Sequence, residues 1–234
     1  MNALTDRLKK WDIELSDIQL SQLDKYYNLL IEWNQKINLT AITEYEDVLI
    51  KHFLDSSALL NYLNLDGVSL LDVGTGAGFP GLVLKIVNPS TNIVLVDSLN
   101  KRVNFLNSVI SDLSLTGISA IHSRIEDLAH DSNYREKFDV VTSRAVANMS
   151  TLSEYCIPFV KTGGVFAPYK SGSIIDEVDS SKNAISILGG KINSVEEYVL
   201  PDTDYSRSIV FVDKIKQTDL KYPRKAGVPS KSPL

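Results

Sequence analysis

The length, composition and charge of this chain limit what it can be. With 234 residues and a 44% hydrophobic content, it can form one large α/β domain with a small additional segment. The single cysteine, Cys156, excludes an internal disulfide, and the net charge of −5 argues against nucleic acid as a partner for the chain as a whole. No apolar signal segment opens the chain and no apolar run reaches about 18 residues, so we expect a soluble cytoplasmic protein without a membrane span.

The sequence pattern of residues 3–63 predicts helices and no strand. Apolar residues repeat at helical spacing in one of these helices: Leu20, Leu23, Tyr27, Leu30 and Ile31. A second helical segment contains His52 and Asp55, which are three residues apart and therefore on one helical face. Taken alone, these two residues favour a packing pair in which Asp55 fixes the imidazole ring of His52.

From residue 68 to about residue 170, predicted strands alternate with helices. The strands are Ser69–Val73, Asn92–Val96, Ile118–His122, Phe138–Thr142 and Gly164–Pro168, and the helices lie near Gly81–Val87, Lys101–Leu115 and Ser150–Val160. This alternation predicts a parallel sheet with helices on both faces. A helix near Ser173–Leu188 and a hairpin of Lys191–Val199 and Ser206–Ile215 follow. Such an antiparallel end to a parallel sheet is typical of methyltransferases and not of a plain dinucleotide-binding domain.

The segment from Leu71 to Gly81 is a glycine-rich loop between the first predicted strand and a helix. Gly74, Gly76 and Gly78 allow positive φ angles and leave the main-chain N–H groups open to a nucleotide-like ligand. Two interpretations compete. Gly76, Gly78 and Gly81 have the G-x-G-x-x-G spacing of dinucleotide enzymes, whereas the tighter G-x-G-x-G of residues 74–78 is typical of class I methyltransferases that bind S-adenosylmethionine. Asp72 favours the second, because a carboxylate suits the cationic methionine end and repels a pyrophosphate.

Asp97 follows the second predicted strand, 23 residues beyond Gly74. This is close to the interval of roughly 20 residues at which an acidic side chain reaches the ribose hydroxyls of a bound nucleotide. Both candidate cofactors contain this ribose, so Asp97 indicates an adenosyl ligand without naming it. His122 and His130 have no partners at metal-ligand spacing, and we expect no metal site.

The end of the chain is basic. From Lys214 onward there are six basic residues and one acidic residue, and the segment from Lys221 is rich in proline, glycine and serine. We therefore predict an extended arm without regular structure, which either lies along phosphates or is a solvated tail without a role.

An ordered set of motifs runs through essentially the whole chain: Trp33-Asn34, Asn38-Leu39-Thr40, His52-Phe53-Leu54-Asp55-Ser56, the loop from Asp72 to Gly81, the segment from Asp97 to Arg102, and Ser143-Arg144-Ala145. Together they resemble the RsmG (GidB) family of bacterial methyltransferases, which modify guanine N7 in the 530 loop of 16S rRNA. The resemblance implies a class I fold with a seven-stranded, mostly parallel sheet, a terminal antiparallel hairpin and an N-terminal helical extension. We expect the extension at residues 1–64, the cofactor domain at residues 65–216 and the basic arm at residues 217–234.

The resemblance also implies the site. S-adenosylmethionine would be held by Asp72, by the loop residues Gly74, Gly76, Gly78 and Phe79, by Asp97 at the ribose, by Ile125 and Glu126 at the adenine, and by Arg144. For Glu126, a helix N-terminal acid without a ligand remains the alternative. His52 and Asp55 would border the substrate mouth or brace the cofactor loop.

Guanine N7 carries a lone pair and no proton, so the reaction needs positioning and no general base. Arg144, Lys170 and Arg102 are therefore candidates for holding the nucleotide through O6 or phosphates. The expected partner is 16S rRNA, in the small subunit or an assembly intermediate, and the expected state is a monomer. The alternatives are a non-catalytic RNA-binding or assembly factor that keeps the pocket and, with less support, a nicotinamide oxidoreductase.

Overall fold

The computed structural model describes residues 1–172 and 174–234. Seven strands within these residues form one sheet in the order β3-β2-β1-β4-β5-β7-β6. The strands are β1 (Ser69–Val73), β2 (Asn92–Asp97), β3 (Ile118–His122), β4 (Phe138–Arg144), β5 (Val160–Ser171), β6 (Gly190–Val199) and β7 (Ser206–Lys214). The pairing of β5 with β7 is antiparallel, whereas β1 with β4, β2 with β3 and β4 with β5 are parallel. The predicted sheet is confirmed.

The α-helices are α1 (Asn2–Leu8), α2 (Asp17–Asn34), α3 (Tyr45–Val48), α4 (Asp55–Ser57), α5 (Gly81–Val87), α6 (Asn100–Asp112), α7 (Ile125–Leu128), α8 (Met149–Cys156), α9 (Ile175–Ile187) and α10 (Val228–Lys231). A π-helix, Leu49–Leu54, joins α3 to α4. The predicted start of α9 at Ser173 lies outside the described residues. In the part of the chain that the structure describes, no helix is long and apolar enough to cross a membrane.

The described chain divides into two compact units. The first consists of Met1–Val68, Thr75–His122 and Val199–Tyr205. Its longest helix, α2, begins with a capping box in which Ser16 and Gln19 satisfy each other's backbone N–H groups, and it packs on α5 and α6. The buried face of α2 carries Leu23, Tyr26 and Leu30. Of the predicted set, Leu23 and Leu30 are buried, whereas Leu20, Tyr27 and Ile31 are half-buried, and the hydroxyl group of Tyr27 donates to the carbonyl oxygen of Thr43.

The second unit consists of Ser69–Gly74, Ser123–Tyr198 and Ser206–Leu234. Strands β1, β4, β5 and β7 pair in register within it, and α8 packs on α9. Two hydroxyl groups of β4 bond to neighbouring strands: Thr142 donates to the carbonyl oxygen of Ala167 and Ser143 to that of Val73, both at 2.8 Å. The second bond anchors the end of β1 next to the glycine loop.

The C-terminal segment is folded onto the second unit. Arg224 forms a bidentate ion pair with the fully buried Glu154 of α8, with donor to acceptor distances of 2.9 and 2.6 Å. Glu126 of α7 accepts the backbone N–H of Gly227 at 3.1 Å, and Pro229 is buried. The prediction of an extended arm without regular structure is therefore wrong, since Val228–Lys231 is helical and partners elsewhere in the unit hold the segment in place.

Replacing Arg224 with Met should destabilise the protein by about 2 to 4 kcal/mol, because the buried carboxylate of Glu154 loses its charged partner. Urea unfolding at pH 7 measures the change. Lys225→Met is the matched control, since Lys225 is the neighbouring cation and is exposed. Equal losses in the two variants would contradict this role for the ion pair.

Burial raises the pKa of the Asp139 carboxyl group at the start of β4, but the contacts with Lys161 and Ser69 together outweigh it and lower the pKa to about 2. Because the pKa is lower in the folded state than in the unfolded state, the ionised carboxylate stabilises the folded protein at pH values above the unfolded-state pKa. This contribution disappears as the pH falls towards 2. Asp139→Asn should therefore cost about 1 to 2 kcal/mol at pH 7 and progressively less from pH 4 to pH 2. Urea unfolding across that range tests this, and a pH-independent difference would refute it.

Candidate cofactor-binding site

The glycine loop has the backbone that its sequence predicts. Gly74, Gly76 and Gly78 have φ angles of 67°, 62° and 98°, which side chains other than glycine rarely adopt. A Cβ atom on Gly78 would lie 2.3 Å from Leu82 Cδ1 and 2.7 Å from the hydroxyl oxygen of Tyr26. Glycine is favoured there for two reasons, the φ angle and the close approach of Leu82 and Tyr26. The chain passes from the second unit to the first between Gly74 and Thr75.

Asp97 ends β2 with a buried carboxylate whose oxygen atoms are held in place. Its Oδ2 accepts the backbone N–H of Gly76 at 3.0 Å and a guanidinium N–H of Arg102 at 3.3 Å, and its Oδ1 accepts the N–H of Leu99 at 2.9 Å. Oδ2 already accepts two bonds, whereas Oδ1 keeps acceptor capacity for one more, which suits a ribose hydroxyl group. Arg102 was a candidate for holding the nucleotide, but the structure places its side chain against Asp97.

His52 lies against the glycine loop. Its ring stacks on Phe79 with a centroid distance of 4.4 Å and an interplanar angle of 18°. Its Nε2 lies within hydrogen-bond distance of the hydroxyl oxygen of Thr40, at 2.9 Å. The same oxygen accepts the N–H of Ile42. Asp55 begins α4 and is buried. Of the two roles that the resemblance leaves open for His52, the contact with Phe79 favours bracing of the loop.

In the second unit, Asp72 is fully buried in β1, in register with Thr142 of β4. A Cβ atom on Gly74 would lie 2.6 Å from Val146 Cγ2, so a side chain at this end of the loop would require Val146 to move. Arg144 is half-buried and ends β4. The following residue, Ala145, has a φ of 58°, which costs roughly 1 kcal/mol for a residue with a Cβ atom.

Lys170 lies in β5, and its ammonium group is already paired. Its Nζ donates to the carbonyl oxygen of Ala147 at 2.9 Å and to Glu177 Oε1 at 2.7 Å, and only 12% of its side chain is exposed. The same oxygen of Glu177 accepts the N–H of Met149. Sequence reasoning missed Glu177, because nothing in its local pattern distinguishes it from the other acidic residues at the start of α9.

Ile125 and Glu126 are the first two residues of α7. Ile125 is half-buried, and the Glu126 carboxylate is buried and bonded to the N–H of Gly227. The C-terminal segment therefore supports the element that is predicted to contact adenine. Glu126 can still accept a hydrogen bond from an adenine amino group, because its second oxygen retains acceptor capacity.

Cys156 is buried in α8. Burial raises the pKa of its thiol group well above the ordinary value, and the nearby carboxylate of Asp72 adds to the rise. The thiol is therefore protonated at neutral pH and is a poor nucleophile. This agrees with its interpretation as a core residue.

The structure brings four of the predicted site residues into contact in the first unit, as two pairs: Gly76 with Asp97, and His52 with Phe79. Sequence reasoning missed two further residues, Tyr26 and Thr40, which contact the loop or His52. Tyr26 follows Leu23 by three positions and precedes Leu30 by four, so the same helical spacing admits it in place of Tyr27.

The sheet order, the glycine loop after β1 and the acid at the end of β2 define a class I methyltransferase. Solved structures share this fold. One is a SAM-dependent methyltransferase from Aquifex aeolicus, with a TM-score of 0.54 and 17% identity over 78% of this chain and 97% of that one. Another is M. jannaschii TYW2 in complex with AdoMet, with a TM-score of 0.54 and 13% identity over 70% and 76% of the two chains.

The chain belongs to the GidB family, rRNA small subunit methyltransferase G, whose model matches residues 19–209. It is 52% identical to ribosomal RNA small subunit methyltransferase G of Lachnoclostridium phytofermentans, over 97% of this chain and 94% of that protein. It is 49% identical to the protein of the same name from Desulforamulus reducens, over the full length of both. The family resemblance is confirmed.

Asp97→Ala should weaken the binding of S-adenosylhomocysteine about 10- to 100-fold, because the ribose loses a charged acceptor and the loop loses the bond to Gly76. Titration calorimetry measures the affinity. Asp112→Ala is the control, since this acid is exposed and lies on α6 in the same unit. Unchanged affinity in Asp97→Ala would remove Asp97 from the site.

Proposed function

We propose that this protein transfers a methyl group from S-adenosylmethionine to N7 of a guanine in the 530 loop of 16S rRNA. The observation that carries the proposal is the Asp97 carboxylate bonded to the N–H of Gly76, in a chain that belongs over its length to a family of rRNA methyltransferases. In this proposal Asp97 accepts hydrogen bonds from the ribose, and its bond to Gly76 supports the assignment because Gly76 belongs to the loop backbone that would hold the rest of the cofactor.

We assign the cofactor contacts by unit. In the first unit, Gly76 and Gly78 offer loop backbone, Phe79 an apolar face and Asp97 the ribose acceptor. In the second unit, Asp72 and Gly74 contact the methionine end of the cofactor, and Ile125 and Glu126 contact its adenine. The cofactor supplies an electrophilic methyl group. These residues bind and orient it, and none of them needs to move a proton.

The substrate atom explains why no general base is required. Guanine N7 has a free lone pair, so holding it in line with the methyl group can supply several kcal/mol of the barrier reduction, on the order expected from effective molarity. Positive charge develops on the purine as the methyl group arrives, so a cation beside N7 would oppose the reaction. Arg144 and Lys170 are therefore assigned to the O6 edge or the phosphates.

Glu177 competes with these RNA acceptors for the ammonium group of Lys170. Its ammonium group is bonded to Glu177 and only slightly exposed, so an RNA oxygen has to displace or join that carboxylate. This arrangement makes the contact selective, because a weakly placed phosphate does not compensate for the lost ion pair. Asp55 is assigned to the substrate mouth near Ser56.

We propose that the enzyme acts as a cytoplasmic monomer on 16S rRNA in the small subunit or an assembly intermediate. The residues of the glycine loop and Asp97 support catalytic turnover over a factor that only binds RNA, since such a factor has no need of an ordered ribose acceptor. Asp72 beside the loop continues to argue against a nicotinamide cofactor.

The first experiment is methyl transfer from labelled S-adenosylmethionine to small-subunit rRNA from cells that lack the gene, followed by chemical cleavage at 7-methylguanine. We expect one cut, in the 530 loop, with the wild-type protein and with Asp112→Ala, and a strongly reduced cut with Asp97→Ala. Bare RNA and intact subunits are compared to identify the substrate form. Cofactor binding without label on either substrate would refute methyl transfer to this RNA and leave a binding role.

A further inference from the structure

Helix α2 reaches the glycine loop through one hydroxyl group. The Tyr26 side chain is fully buried, and its hydroxyl group donates to the carbonyl oxygen of Ala77 at 2.5 Å. The same oxygen atom occupies the space that a Cβ atom of Gly78 would need. The Tyr26 ring also lies against Phe79, with the centroids 5.6 Å apart. Tyr26 therefore contacts three consecutive residues of the loop.

The π-helix supplies a second support. His52 stacks on Phe79, and the next residue, Phe53, has its ring centroid 6.2 Å from that of Phe79 and 5.4 Å from that of Tyr26. π-Helical turns are rare and often occur at functional sites. Here the turn includes two of the aromatic neighbours of Phe79, His52 and Phe53, and the hydrogen bond between the Thr40 hydroxyl group and His52 Nε2 restrains the imidazole ring.

We propose that Tyr26 and His52 are positioning residues for the cofactor, which hold the loop segment Ala77–Phe79 in its binding conformation. The inference rests on the proposed function, because it takes this loop to be the cofactor site. A loop with three glycines at positive φ has many alternative conformations, and ordering it at the moment of binding lowers affinity. The bonds and stacks from α2 and the π-helix order it beforehand.

Two possible roles of His52 require different chemical features of its side chain. A positioning role needs a flat ring on Phe79, which phenylalanine also provides. A role as a hydrogen-bonding group at the substrate needs the imidazole nitrogens, which phenylalanine lacks. The two roles therefore predict opposite results for the same substitution.

The test compares two adjacent tyrosines. Tyr26→Phe removes only the hydroxyl group that holds Ala77, and we expect S-adenosylhomocysteine to bind about 5- to 10-fold more weakly, since one buried carbonyl loses its partner. Tyr27→Phe removes the hydroxyl group that bonds Thr43 near the surface and should leave the affinity unchanged. Calorimetry gives the affinities, and hydrogen exchange of the amides of Ala77–Phe79 should rise in Tyr26→Phe alone.

His52 variants provide the second readout. His52→Leu should weaken S-adenosylhomocysteine binding about 10-fold because it removes the stacked ring, and His52→Phe should restore the affinity to within about 2-fold. Wild-type cofactor affinity in both variants, together with a large fall in kcat for His52→Phe, would overturn the inference for His52 and place it at the substrate.

Asp139→Asn is the control for a general loss of stability, because it destabilises the protein at a position in the other unit. Its affinity for S-adenosylhomocysteine should equal that of the wild type when measured well below its unfolding temperature. Equal affinity of Tyr26→Phe and wild type would overturn the inference while leaving the proposed function intact. A wild-type chain that does not bind S-adenosylhomocysteine would overturn the proposed function and the inference with it.

Discussion

The hydrogen bond from the N–H of Gly76 to the carboxylate of Asp97 joins the first βα crossing to the end of the second strand. The crossing needs positive φ angles in order to present bare N–H groups, and such a backbone is flexible unless something outside it fixes the path. Asp97 does so while keeping acceptor capacity for a ribose. Arg102 pairs with this carboxylate and so offsets part of the cost of burying its charge.

The N-terminal helical segment has a structural reason to accompany this fold. Its aromatic side chains form a cluster with the loop, in which Tyr26, Phe53 and Phe79 contact one another and Tyr26 also contacts Phe105 of α6. Aromatic pairs of this kind contribute about 0.5 to 1.5 kcal/mol each beyond the area that they bury. The cluster makes Phe79 part of a hydrophobic core, so this part of the loop is as rigid as the unit that contains it.

Acidic side chains pair with three basic residues of the second unit. Arg224 is neutralised by Glu154, Lys170 by Glu177, and the buried ammonium group of Lys214 by Glu136. Burial lowers the pKa of Lys214 to about 8, and Glu136 offsets part of that shift. These pairs hold the three cations at defined places in a protein of net charge −5. Charges fixed in this way favour selective contacts over general affinity for phosphates.

The amino-acid sequence alone determined the order of the seven strands, the glycine loop and the acid at the end of β2, because these depend on local periodicity and on spacings within one βα unit. Only the tertiary structure decided what supports them. Helical periodicity could not choose between Tyr26 and Tyr27, since adjacent positions differ by about 100° and either could face the core. Local composition predicted a disordered C-terminal arm, whereas Glu126 and Glu154, 101 and 70 residues away from their partners, order it. Contacts between residues so distant in the chain leave no local pattern, and they become visible only once the chain has folded.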